Sequence, residues 1–257
     1  MIKKILLTSL IVILSAGLIG CWFYFVGSMS AQGRGQAVCR KVEVILLDSL
    51  ESAIVDRAEV IRQMEKAAIG QQTVTIDLDS IEKRLRARGE VMSAQVYTPD
   101  EQTLAVQLTQ RKPVIRFEKG GRRWYADPEG YLFPVTNSVD VPIVTGHIPF
   151  HIDSTFKGEA PEHDREWVLG MVSLARYIDG RPFLRKEITQ IDIADDGDIM
   201  LYTRTPGPAI IFGDYGDCEN KFRKLEAWWR NIVPEAGNRK YRTINLKYNN
   251  QIICKQL

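Results

Sequence analysis

From Ile5 to Gly27 the chain runs 23 residues without a charged side chain. As a helix rising ~1.5 Å per residue, such a run is roughly 34 Å long, enough to cross the hydrocarbon core of a bilayer. Lys3 and Lys4 precede it and assign the short tail, residues 1–4, to the cytoplasm by the positive-inside rule. Trp22, Phe23, Tyr24 and Phe25 stand where an aromatic belt meets the far interface. The expectation is a single-pass membrane protein with a transmembrane helix at 5–27 and everything beyond it extracytoplasmic. Two alternatives share this segment. Leu18-Ile19-Gly20-Cys21 matches a lipoprotein cleavage box, although Trp22–Val26 continues the apolar run where a lipoprotein turns polar. A cleaved secretory signal is the other, although its apolar region is normally only ~7–15 residues.

Beyond the anchor the charges balance. Of 34 basic and 32 acidic residues, Lys3 and Lys4 are two, which leaves 32 against 32. A neutral body offers no counter-ion-releasing surface, so nucleic acid is excluded as a partner class. The four cysteines, Cys21, Cys39, Cys218 and Cys254, contain no CxxC pair or Cys/His metal spacing. One bridge among the outer three is open to them in an oxidising compartment; isolated buried thiols are the simpler reading.

Residues 28–38 form a small, Gly- and Ser-containing linker. The next segment, 39–112, reads as strand, helix, helix, strand, strand. Lys41–Leu47 is the first strand. Asp56 and Glu59 form a capping box ahead of Val60, Met64 and Ala67 at helical spacing, and Gly70 ends that helix. Asp79 is expected to cap a second helix with Ile81 and Leu85 buried; the strands MSAQVYT and TLAVQLTQ follow. Pro113 marks a boundary, because proline is rarely tolerated inside a central strand.

From 113 to 257 the pattern is mostly β. Short strands alternate with Gly-Gly, Asp-Pro-Glu-Gly, Asp-Gly and Pro-Gly-Pro turns. Two amphipathic helices cover them, one with Trp167, Met171, Leu174 and Ile178 inward, the other with Phe222, Leu225, Trp229 and Ile232 inward. The fold class is α+β.

The chain holds no phosphate-binding loop, nucleophile elbow or HExxH motif, and no cofactor is expected. His147 and His151 are four apart, but Pro149 between them makes the stretch irregular, and solvated loop histidines are the reading. Asp192–Asp198 resembles a calcium loop only in composition; the glutamate required six residues after Gly197 is replaced by Thr203. An Asp-Gly hairpin turn accounts for it.

The last stretch alternates. Ile244, Leu246, Tyr248, Asn250, Ile252 and Cys254 form one face, and Asn245, Lys247, Asn249, Gln251, Ile253 and Lys255 the other. This predicts a half-buried strand over 244–254 whose outer edge awaits a partner. Simple protection of that edge by Lys247 and Lys255 is the plainer reading. A turn at Asn249-Asn250, splitting the strand in two, is an alternative.

Four stretches, in this order, resemble the bacterial cell-division family FtsQ/DivIB: the sequence of tail, anchor, small module and β domain; IDLDSIEKRLRARGEVMSAQVYTPDEQTLAVQLTQRKPVIRF, similar to that family's POTRA-type module; YADPEGYLFPV with VPIVTG; and NKFRKLEAWWRNI with YRTINLKYNNQIICK. The pattern departs at Gln110-Arg111, where Glu-Arg is commoner, and at Asn250. The resemblance implies a non-enzymatic divisome scaffold of the inner membrane at the division septum, its outer domains periplasmic, linking early and late division proteins. It also implies FtsB-like and FtsL-like bitopic partners, the former adding a strand to the terminal strand, with Lys247, Tyr248, Asn250 and Ile252 as contact residues. Two alternatives belong to other classes. A POTRA-containing transport or outer-membrane assembly factor would carry the many alternating segments of a barrel; a membrane-anchored cell-envelope enzyme would leave no local signature.

Overall fold

The computed structural model describes residues 18–22, 37–48, 54–236 and 240–257. The anchor expected at 5–27 lies outside them except for 18–22, which are helical; among the described residues no helix is long and apolar enough to cross a membrane. The described residues form two compact units, one from 37–48, 56–87 and 93–109, the other from 54–55, 88–92 and 110–257.

In the first unit the Asp56 carboxylate accepts the Glu59 amide and starts α1 (Arg57–Ala68), which buries Val60, Met64 and Ala68. Helix α2 (Leu78–Arg86) has its cap two residues earlier than expected: Asp77, not Asp79, accepts the Ser80 amide, and Asp79 sits in the first turn, where it complements the helix dipole. Ile81 and Leu85 are buried as their spacing predicts. Strands β1 (Lys41–Leu46), β2 (Val91–Tyr97) and β3 (Thr103–Gln110) form a sheet in the order β1-β3-β2, with β1 and β3 parallel.

The second unit is one sheet of ten strands. The strands are β4 (Ile115–Lys119), β5 (Arg122–Ala126), β6 (Tyr131–Pro134), β7 (Ile143–Gly146), β8 (Gly158–Glu159), β9 (Ile188–Ile193), β10 (Ile199–Thr203), β11 (Ala209–Gly213), β12 (Tyr241–Asn245) and β13 (Ile253–Gln256). Their spatial order is β13-β12-β11-β10-β9-β7-β4-β5-β6-β8. Helices α3 (Glu162–Asp179) and α5 (Cys218–Asn231) pack on it, and the short helices α4 (Pro182–Glu187) and α6 (Val233–Ala236) join them. Registers place Ile191, Leu201, Ile210, Ile244 and Cys254 in one row across β9–β13. The first four are fully buried in a core shared with Met171 and Leu174 of α3 and Phe222, Leu225 and Trp228 of α5.

The second helical stripe differs from its expected form. Its buried apolar residues are Phe222, Leu225 and Trp228, whereas Trp229 is only partly buried and Ile232 is exposed. Adjacent tryptophans point about 100° apart on a helix, so one of them must leave the core. Trp229 instead meets Phe183 of α4 edge to face, at 5.2 Å between ring centroids.

The turn 127–130 is built by a buried carboxylate. Asp127, 2% exposed, accepts the amides of Glu129 and Tyr131 and pairs with the Arg111 guanidinium at 2.6 Å. Arg111 also lies over the Tyr131 ring, 3.4 Å from its centroid. Gly130 closes the turn at φ 81°, and a Cβ there would come 2.9 Å from the Leu169 side chain. Removing one member of a buried ion pair strands the other and costs ~3–5 kcal/mol, whereas an exposed pair is worth ~0.2–1. Asp127→Ala is therefore expected to lower the thermal midpoint of the purified chain sharply, and Arg62→Ala, which breaks the exposed pair with Glu59 on α1, to leave it almost unchanged. Circular dichroism melts of the two variants beside the native chain check this.

Candidate partner-binding edge

Ile244 and Leu246 carry β12 and its exit into the core, both fully buried. The chain then leaves the sheet. Residues 246–252 form a loop whose turn is at Asn249-Asn250, with Asn250 in the left-handed region at φ 58°. Asparagine is among the few residues that tolerate this conformation. The stretch 244–254 is thus two strands and a turn, not one strand, and the split at the Asn pair is the form it takes.

Strand β13 returns antiparallel to β12, with Thr243 opposite Lys255, Ile244 opposite Cys254 and Asn245 opposite Ile253. Among the described residues no strand pairs with its outer side. Two bonds define which groups face outward. The Leu246 amide donates to Ile211 on β11, and the Leu257 amide donates to Lys240 ahead of β12. Because main-chain groups alternate along an extended strand, Ile253 and Lys255 turn theirs toward β12, and Cys254 and Gln256 turn theirs outward.

The four residues expected on the edge all fall in the loop. The Lys247 ammonium reaches Asp198, in the β9–β10 turn, at 2.6 and 2.9 Å; this hydrogen bond is the main reason its pKa is raised. Its amide donates to the Asn245 carboxamide oxygen. Tyr248 is 48% exposed, Asn250 makes the turn, and Ile252 packs against the core beside Cys254. Burial raises the pKa of the Cys254 thiol.

Three further residues border the loop or the exit of β11. The Lys224 ammonium, from α5, donates to the Leu246 and Tyr248 carbonyls, each at 2.7 Å. Burial, followed by the nearby Lys221 charge, lowers the Lys224 pKa. One turn earlier on the same helix, Lys221, 7% exposed, donates to the Asp214 carbonyl and carboxylate just after β11. The third is Gly213, at φ 84°, where a Cβ would come 2.7 Å from Lys247 Cγ. No spacing along the chain signals this arrangement. Residues 240–257 hold Lys240, Arg242, Lys247 and Lys255 and no acidic side chain, with Asp198 neutralising Lys247.

A β-α-α-β-β module followed by one long mixed sheet defines a two-module protein of the POTRA-headed kind, and residues 37–109 match a POTRA-like domain. Residues 112–255, more than half of the chain, match the family described as FtsQ/DivIB, C-terminal related. The chain belongs to the FtsQ/DivIB family. It is 29% identical over 225 residues to the cell division protein FtsQ of Rhodothermus marinus, covering 80% of this chain and 79% of that one. It is 25% identical over 162 residues to the FtsQ of Salinibacter ruber, covering 59% of each chain. A third relative, the FtsQ of Streptomyces bingchenggensis, is 34% identical over 74 residues, 28% of each chain.

Left-handed backbone at a non-glycine residue costs ~1–3 kcal/mol. Gly213→Ala is expected to destabilise the chain by about that much and to displace Lys247 from its seat. A thermal melt measures the first effect, and faster amide exchange at residues 246–252 the second.

Proposed function

We propose that this chain acts in bacterial cell division as a non-enzymatic scaffold of the inner membrane at the septum. Residues 5–27 anchor it with the N-terminus cytoplasmic, and the POTRA-like and β domains lie in the periplasm. It joins early and late divisome components by holding FtsB-like and FtsL-like bitopic proteins. The carrying observation is the outer side of β13, where Cys254 and Gln256 turn their main-chain groups away from a sheet that has no further strand among the described residues. An exposed edge of this kind is a template for strand addition, in which main-chain bonds supply affinity and alternate side chains supply specificity. Tyr248, in the loop that leads into β13, is the aromatic anchor, and Asn250 and Ile252 shape the approach. The family membership and the relatives named for cell division support the same reading.

The test uses the full chain, purified in detergent and presented to native membranes. Proline at 256 removes an outward amide and leaves the pairing of β13 with β12 intact, since edge strands accept proline where the amide faces outward. Gln256→Pro is expected to abolish capture of small bitopic coiled-coil proteins, and Gln256→Ala to leave it unchanged. Equal capture by all three chains sinks strand addition.

A further inference from the structure

Lys247 has the charge to meet an acidic partner, yet its ammonium is already engaged within the chain. Its stem lies over Gly213, which has no side chain to obstruct it, and its head pairs with Asp198. From the helix side, Lys224 holds the carbonyls on both sides of Lys247, those of Leu246 and Tyr248. Two cations from different elements thus tie three successive residues of one loop. Tyr248, whose carbonyl is one of the two that Lys224 holds, leaves its ring half exposed in the loop that leads into β13.

We infer that Lys224 and the Asp198–Lys247 pair are positioning residues: they preform the 246–252 loop so that the half-exposed Tyr248 is presented in one conformation, and Lys247 does not read the partner's charge. The inference rests on the edge-docking reading above. The raised Lys247 pKa agrees with it, because its leading cause is the internal bond to Asp198. A preformed loop binds more tightly because less ordering cost falls on the association step. An ammonium bonded to carbonyls and a carboxylate can fill this role without touching a partner.

The experiment compares the full-length native chain with Asp198→Asn, Lys247→Met, Lys224→Met and the charge swap Asp198→Lys with Lys247→Glu. Each is assayed against the purified bitopic protein that the pull-down isolates, and amide exchange of residues 246–252 is read without partner. Exposed pairs contribute little individually, so each single replacement is expected to weaken binding about threefold and to speed loop exchange, with the thermal midpoint almost unchanged. Lys224→Met combined with Asp198→Asn is expected to weaken binding about tenfold. The charge swap is expected to restore loop protection and to return the affinity to within about twofold of native. A swap that restores protection but binds more weakly than either single variant shows that the partner reads the Lys247 charge, and overturns the inference. So do single variants that bind like the native chain, and so does a swap that leaves the loop unprotected. A native chain that captures no bitopic protein removes edge docking itself, and this inference with it.

Discussion

The apolar row Ile191, Leu201, Ile210 and Ile244, one residue from each of four neighbouring strands, is what the C-terminal half of the molecule depends on. Each of these side chains is fully buried beneath α3 and α5, and each such burial stabilises by ~1.5–3 kcal/mol. The row fixes which face of β12 looks inward and therefore where the chain emerges at Leu246. Cys254, which continues the row on β13, is only half buried, so β13 receives far less of this stabilisation. The outermost strand is held by its ladder to β12 and by the ties on the loop before it. Edge elements with few buried contacts are the ones that open locally, which makes the lysine ties more consequential here than they would be beside a central strand.

A different constraint organises the start of the same unit. Arg111, just before Pro113, and Asp127, in the DPEG turn, are sixteen positions apart and carry no mutual signal along the chain. In space they pair at 2.6 Å, with the Arg111 guanidinium over the Tyr131 ring. Two short patterns that contributed separately to the family resemblance are thus halves of one polar cluster, and Gly130 is required because Leu169 of α3 lies against the turn it closes.

Much of the fold was legible because local chemistry decides it: the Asp56 cap, the Gly-Gly and Asp-Gly turns, and the alternation within β9, β10 and β11. Where two local solutions were equivalent, the sequence could not choose between them. Asp77 and Asp79 both suit a helix start, and Trp228 and Trp229 both suit a core stripe; packing selected the first of each. The terminal stretch misled for a subtler reason. Ile244, Leu246, Ile252 and Cys254 keep even parity on both sides of the turn, so the alternation runs through the reversal without a mark. The Asn pair was the one visible trace of it. Asp198, Gly213 and Lys224 were illegible as parts of the candidate site because their role comes from elements brought together by the sheet order, not from any spacing along the chain.

The cross-strand registers have an implication for whatever segment pairs with β13. Such a segment takes on the two-sidedness of the sheet. Opposite Cys254 its side chains point toward the helix layer and prolong a greasy seam; opposite Ile253 they join the half-exposed series Met200, Ile211 and Asn245 on the other face. Sliding by one residue would exchange these two environments along the whole segment. For strand addition at β13 the sheet would serve as a phase reference, favouring a chain whose oily residues recur at every second position in one phase over the same composition shifted by one.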